Sequence, residues 1–127
     1  MSGSRAVLWA ALADVVLVIG FALTGRLSHD EHPLVGLWVT AWPFLAALAV
    51  GWLVMRAWRA PAAPVRTGIG VWAVTLVGGM ALRALSGQGT AVPFLIVAGL
   101  TLALALIGWR AIATAVVRRR ASSTQHA

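Results

Sequence analysis

The side chain most able to carry chemistry in this chain is the carboxylate of Asp14, which lies within an apolar stretch covering residues 6–26. A stretch of this length and composition can cross a bilayer as a helix. Asp14 falls about eight residues into it, which at about 1.5 Å per residue places the carboxylate roughly 12 Å deep, close to the bilayer middle. Inserting Asp at that depth costs about 2.5–3.5 kcal/mol, and such residues usually face the interior of a helix bundle.

Two roles for Asp14 are open from the sequence. It belongs either to a proton or ion pathway, or to the structure, where it hydrogen-bonds across helices or caps a neighbouring backbone. Burial disfavours the ionised carboxylate unless an arginine or several hydrogen-bond donors stabilise it. Thr75 and Thr101 lie on small-residue faces of later helices and are candidates to line a solute pathway. Ordinary close packing of membrane helices explains the same faces.

A second candidate site would hold an anion. We expect helices to begin at Thr40 and Thr90, where free N–H groups and the positive end of the helix dipole attract negative charge. Arg26 and Arg83 end the preceding helices on the same side. Two helix N-termini and two guanidinium groups could together bind the carboxylate or phosphate of a substrate. In the alternative interpretation, the arginines reach lipid phosphates or are neutralised by acids in the first loop.

That first loop holds most of the remaining titratable side chains. His29 and His32 flank Asp30 and Glu31, a spacing that a metal site could use. The stretch precedes Pro33 and lacks further ligands, so we interpret it as a solvated loop and expect no metal. The chain has no Cys and no visible nucleophile–base pair, so we expect neither a cofactor nor enzymatic activity.

The composition indicates that these side chains are carried by membrane helices. The chain has 127 residues, 61% of them hydrophobic and 10% charged, whereas a soluble domain is about half apolar and a quarter charged. Each spanning helix needs about 20 apolar residues, so the chain has room for four. We predict one transmembrane domain over residues 1–117, with helices at about 6–25, 40–58, 65–85 and 90–113, and a disordered basic and polar tail at 118–127.

The start of the second helix can be drawn in two ways. Residues 34–55 are continuously apolar, but Pro43 would remove a backbone hydrogen bond from such a helix and kink it. Alternatively, residues 34–39 lie at the membrane interface and the spanning helix begins at Thr40, which acts as N-cap with Pro43 in the first turn. We favour the second drawing, because Trp38 and Trp42 then lie among the headgroups, where tryptophan is enriched.

The basic residues, all of them arginine, indicate the orientation. Two of them, Arg26 and Arg83, fall on one side of the predicted helices, and the other eight fall on the opposite side. By the positive-inside rule, both termini then face the cytoplasm of a multi-pass plasma-membrane protein. Charge at helix ends also explains the net charge of +7 without nucleic acid as a partner. The eight are Arg5, Arg56, Arg59, Arg66, Arg110 and Arg118–Arg120.

The tryptophans divide into two groups. Trp52 lies deeper in the second helix, so we expect it to pack inside the bundle or line a cavity. The other six fall near segment ends and are interpreted as anchors in the headgroup belt, where tryptophan is enriched. These six are Trp9, Trp38, Trp42, Trp58, Trp72 and Trp109.

The two halves of the chain resemble each other. Residues 40–45, TAWPFL, are echoed by residues 90–95, TAVPFL, and the Gly-Trp pair at 51–52 is echoed at 108–109. The first echo has an offset of 50 residues and the second one of 57, so coincidence in an Ala-, Leu- and Gly-rich chain is the alternative. We predict an all-α fold, a four-transmembrane-helix bundle made of two helical hairpins in parallel repeat.

A different short motif marks each predicted helix end: GRLSH after the first helix, TAWPF at the start of the second, GW near its end, GM-x-x-R closing the third and GWR closing the fourth. Together they resemble a family of short four-helix membrane proteins of bacteria and archaea that is described only as a domain of unknown function. The resemblance covers nearly the whole chain. It implies a four-helix membrane protein and no established activity.

Two functions compete on these observations. The first is a small-solute or ion transporter or channel-like protein, with Asp14 at mid-membrane. Four short helices enclose little volume, so such a protein would work as a homodimer or larger assembly. The second is a structural or accessory subunit that binds another membrane protein or a lipid through its small-residue faces and basic ends.

Overall fold

The computed structural model describes the backbone of residues 3–27 and 33–126, and side chains within 3–24 and 35–121. Its five α-helices are α1 (Gly3–Leu27), α2 (Pro33–Met55), α3 (Gly70–Leu85), α4 (Val92–Leu106) and α5 (Gly108–His126). The chain between α2 and α3 forms a 3-10 turn, Ala57–Arg59, and a π-helical turn, Pro64–Ile69. We call residues 56–63 the linker.

Four segments are long and apolar enough to cross a membrane, which confirms the predicted all-α four-helix architecture. They are Gly3–Thr24, Val35–Met55, Pro64–Leu85 and Val92–Ala121. The last segment joins α4 to α5 through a single turn residue, Ile107. The duplication of hairpins stays a prediction. Thr40 lies well inside α2, whereas Thr90 precedes α4, so the echoed motif begins at different points relative to the two helices.

The favoured start of the second helix was wrong. α2 begins at Pro33 and runs without a break through Pro43, so residues 34–39 are its first turns and Thr40 is not an N-cap. Proline is tolerated inside membrane helices when neighbouring helices cover the freed backbone groups. Pro43 is fully buried in this bundle. The packing of this continuous apolar segment therefore offsets the loss of one backbone hydrogen bond.

The predicted disordered tail was also wrong. α5 continues through the three consecutive arginines, Arg118–Arg120, and ends at His126. No Gly or Pro follows Gly108 in the sequence, and arginine, alanine and glutamine are good helix formers. The helix that begins in the last span therefore propagates past the apolar segment.

Close packing of α2 on α3 forms the centre of the bundle. Added Cβ atoms show how tight it is: one at Gly79 would collide with the Phe44 ring, and one at Gly78 would come within 2.9 Å of the Ala47 Cβ. A Cβ at Gly51 of α2 would lie 3.4 Å from the Val74 Cβ of α3, which is an ordinary van der Waals contact. Small residues at helix interfaces allow such approach in lipid. The small-residue stripes predicted from the sequence are thus used in packing inside one chain.

The core is filled by aromatic and branched side chains from all four spans. Phe21, Phe44 and Phe94 form a triangle with ring centroids 5.2–6.3 Å apart, in the edge-on and tilted geometries that aromatic pairs favour. The indole N–H of Trp72 donates to the carbonyl of Gly99 at 2.9 Å and joins α3 to α4. Trp72 thus makes a hydrogen bond inside the bundle, beyond the anchoring role predicted for it.

Candidate functional site

Asp14 lies in the middle of α1 with no exposed surface, and its partner is Arg110 of α5. Arg110 Nη1 donates to Asp14 Oδ1 at 2.9 Å and Nη2 donates to Oδ2 at 2.6 Å. Two parallel hydrogen bonds between a guanidinium fork and a carboxylate form the strongest and most directional ion-pair geometry available to side chains. Both side chains are fully buried, so the pair is screened much less than an exposed ion pair would be.

Two tryptophans complete the coordination of the carboxylate. Trp52 Nε1 of α2 donates to Asp14 Oδ2 at 2.8 Å, and Trp109 Nε1 of α5 donates to Oδ1 at 2.8 Å. Each carboxylate oxygen therefore accepts two hydrogen bonds, one charged and one neutral. We call Asp14, Trp52, Trp109 and Arg110 the Asp14 cluster. It joins α1, α2 and α5.

The guanidinium of Arg110 is satisfied almost as fully as the carboxylate. Its Nη1 also donates to the carbonyl of Leu106 at 2.8 Å, one turn back in the chain, and its Nε donates to the carbonyl of Pro61 at 2.8 Å. The guanidinium carbon lies 4.7 Å from the centre of the Trp109 ring, within cation–π range. Four of the five N–H groups of an arginine are thus used, and the linker is tied to the same site.

The local backbone structure leaves room for the Arg110 side chain. Gly68, in the π-helical turn, faces it, and a Cβ there would come within 3.3 Å of Arg110 Cδ. Thr67 donates its hydroxyl to the carbonyl of Ala60, and Thr114 donates to that of Ala62 at 3.4 Å. The linker also contains Arg56 in the left-handed region at φ 49°. Short 3-10 and π turns replace regular helix where the chain folds back over the guanidinium.

The side chains of this arrangement serve to hold helices together. The buried carboxylate of Asp14 accepts four hydrogen bonds, two of them from the Arg110 guanidinium, and these bonds tie α1 to α2 and α5. Removing one member of such a pair leaves an uncompensated charge and typically costs about 3–5 kcal/mol. No acceptor lone pair of the carboxylate is left for a further ligand of ordinary geometry.

The two threonines predicted to accompany Asp14 lie elsewhere. Thr75 of α3 is fully buried, and its Oγ1 has no hydrogen-bond partner among the described residues. Thr101 of α4 is half-buried. Neither hydroxyl bonds to the Asp14 cluster in the part of the chain that the structure describes.

Neither threonine of the predicted anion site begins a helix. Thr40 lies inside α2 and offers no helix N-terminus, and Thr90 lies two residues before α4 begins at Val92. Arg83 Nε donates to the carbonyl of Gly89 at 3.0 Å and its Nη1 to Gln88 Oε1 at 3.0 Å, while the guanidinium lies 4.1 Å above the Phe94 ring. The side chain of Arg26 and the first loop, with His29, Asp30, Glu31 and His32, lie outside the described residues.

Sequence reasoning missed the role of Arg110 and Trp109 in this site. It assigned Arg110 to the arginines that mark helix ends and Trp109 to the headgroup belt, and the structure places both on Asp14. A signal was present: the apolar residues 111–117 follow Arg110, so it lies within an apolar segment. An arginine and an aspartate inside two spans of one chain are expected to pair, because either alone is costly. Trp52 was expected to lie inside, which is confirmed.

Comparison with known proteins identifies the family and nothing beyond it. The chain belongs to the family described as "Protein of unknown function (DUF3054)", which matches residues 11–113. This range includes all four residues of the Asp14 cluster and confirms the resemblance inferred from the helix-end motifs. No curated protein and no solved structure matches the chain.

Proposed function

We propose that this member of a family of unknown function acts as a structural or accessory subunit of the membrane, which associates with another membrane protein and does not itself transport a solute. The observation that carries the proposal is the saturation of Asp14. A coupling carboxylate has to exchange protons, ions or substrate, whereas this one accepts four hydrogen bonds from its own chain.

The location of the polar contacts supports the same proposal. Those of the Asp14 cluster join helices to each other and to the linker, and the tight glycine contacts lie between α2 and α3. The surface left for function is the outside of the bundle. Large apolar side chains are exposed there on every spanning helix, for example Leu12, Leu53, Val77 and Leu100. Such a surface suits contact with lipid and with other membrane helices.

The topology proposed with this function is a multi-pass plasma-membrane protein with both termini in the cytoplasm. Removing Arg110 from the arginines at helix ends leaves seven on the side of the linker and both termini, against Arg26 and Arg83 on the other. The asymmetry therefore still favours this orientation. We also propose that the chain forms a homodimer, has no enzymatic activity and uses no cofactor.

The proposal is tested on protein extracted from its own membrane in mild detergent. Native mass spectrometry is expected to find one protein partner at a fixed stoichiometry, and the association is expected to survive in the pair replacement Asp14→Leu/Arg110→Met wherever that variant folds. In proteoliposomes, the purified chain is expected to leave a pH gradient and a potassium gradient unchanged. A homodimer without any partner, together with ion flux that Asp14→Asn abolishes in a folded protein, would overturn the accessory role.

The second candidate is a proton- or ion-linked transporter. The observation in its favour is the buried hydroxyl of Thr75, which has no partner among the described residues, in a bundle that also buries a carboxylate. Transport would require the Asp14–Arg110 pair to open during a cycle. This function predicts that Asp14→Asn and Thr75→Val both lose flux while insertion and assembly are kept. A structural role predicts that Asp14→Asn is unstable and that Thr75→Val is not.

A further inference from the structure

The end of the bundle that carries the linker has many positive charges and no described carboxylate to neutralise them. Asp14 is the only acidic residue in 3–27 and 33–126, and Arg110 already binds it. The other two acids, Asp30 and Glu31, lie outside the described residues. Six arginines exposed at the linker end are Arg5, Arg56, Arg59, Arg66, Arg118 and Arg119.

The fold packs α5 against the linker, which is distant from it in the chain. Arg110 and Thr114 of α5 reach the linker carbonyls of Pro61 and Ala62. Residues four apart share one face of a helix, so Arg118 is the next residue on the face of α5 that packs along the linker. The linker itself carries Arg56 and Arg59. Arginines are thus carried both by the irregular linker and by the helix that packs along it.

A tryptophan marks the level of this surface relative to the bilayer. Trp58 lies between the two linker arginines and is 46% exposed. An exposed indole directly after a membrane span is typical of the headgroup region. The guanidinium groups beside it then lie at the level of lipid phosphates, which they bind through paired N–H donors.

We propose that the linker and the first exposed turns of α5 form a binding surface for anionic phospholipids, in which Arg56 and Arg59 on one side and Arg118 and Arg119 on the other bind headgroup phosphate. The surface selects lipids with a net negative headgroup over zwitterionic ones. This inference goes beyond the proposed function and does not depend on it, because it concerns side chains outside the bundle core.

The test measures lipid selectivity of the full chain in vesicles. Purified protein is reconstituted into phosphatidylcholine vesicles containing trace spin-labelled phosphatidylglycerol or spin-labelled phosphatidylcholine, and electron paramagnetic resonance gives the ratio of their association constants. The wild type is expected to favour phosphatidylglycerol. Arg56→Gln/Arg59→Gln and Arg118→Gln/Arg119→Gln are each expected to reduce that ratio, by up to about fivefold for each arginine removed. High salt is expected to weaken the preference.

The controls separate charge from folding and lipid from protein. Arg59→Lys/Arg118→Lys keeps both charges and is expected to retain most of the preference, while α-helix content by circular dichroism is expected to be the same in all variants. Equal association of both lipids with the wild type, or an unchanged ratio in either glutamine variant, would overturn the inference. It would also be overturned if the glutamine variants lost a protein partner while the lipid ratio stayed constant.

Discussion

Arg110 and Asp14 lie 96 residues apart in the chain and meet through two parallel hydrogen bonds of 2.9 and 2.6 Å in a site with no exposed surface. The pair links the first spanning helix to the last. Because two tryptophans and a linker carbonyl also hydrogen-bond to this pair, four segments of the molecule meet at one ionic contact: α1, α2, α5 and the linker.

Removing one partner of the Asp14–Arg110 pair should destabilise the protein far more than removing both. Arg110→Met leaves a buried carboxylate without its counter-charge, and we expect a loss of about 3–5 kcal/mol in the free energy of unfolding. Asp14→Leu/Arg110→Met removes both charges and should recover much of that loss. Unfolding in mild detergent, followed by tryptophan fluorescence, measures both. Arg119→Met, an exposed arginine on the same helix, is the control and should change little. A double variant no more stable than Arg110→Met would contradict a paired role.

The indole hydrogen bonds should contribute separately. Trp52→Phe and Trp109→Phe each remove one donor from the carboxylate, and hydrogen bonds to charged groups contribute about 1.5–3 kcal/mol. We expect each variant to lose stability in that range in the same unfolding assay. Trp58→Phe is the matched control, because Trp58 is exposed and has no hydrogen bond to the cluster. Equal losses in all three variants would mean that ring packing, and not hydrogen bonding to Asp14, determines the effect.

The buried hydroxyl of Thr75 should be dispensable for stability. Its Oγ1 has no partner among the described residues, and an unsatisfied buried polar group is unfavourable. Thr75→Val keeps the shape and removes the hydroxyl, so we expect a gain of about 1 kcal/mol. The same substitution at Thr67, also buried but bonded to the carbonyl of Ala60, should have the opposite sign. A loss of stability in Thr75→Val would indicate that the hydroxyl has a partner, such as an ordered water.

Replacing a glycine by alanine at the α2–α3 contact should change stability very differently from the same replacement outside it. Gly79→Ala would drive a methyl group into the Phe44 ring, which lies in the core and cannot move away freely, and overpacking of this kind costs about 1–3 kcal/mol. Gly20→Ala meets nothing within 4 Å and should be neutral or stabilising by up to about 1 kcal/mol through helix propensity. Thermal unfolding of the two variants in detergent compares them directly. Similar midpoints would contradict the tight packing of α3 on α2.

The spans could be predicted from the sequence because their hydropathy far exceeds what any loop in the chain carries, and lipid requires helices of that length. Their ends could not. Pro43 is a local signal for a helix start, but the packing of a continuous α2 outweighed it. The arginines at 118–120 indicated a solvated tail, yet the helix that precedes them simply continues.

Only part of the candidate site could be predicted from the sequence. Asp14 stands out because its type conflicts with its surroundings, and a buried carboxylate requires an arginine or several hydrogen-bond donors nearby. Which arginine would supply it depends on tertiary contact over almost the whole chain, and residue type alone assigned Arg110 to a helix end. The homodimer and the anion site around Arg83 stay predictions.

The order of synthesis gives the Asp14–Arg110 pair a further consequence. At about 5–20 residues per second, the ribosome takes roughly 5–20 seconds to make the 96 residues that separate the two side chains. During that interval the first helix carries a carboxylate in the apolar phase without its final partner. A chain that stops before Arg110 lacks that partner altogether. The contact that closes the bundle thereby distinguishes a chain that includes Arg110 from one that does not.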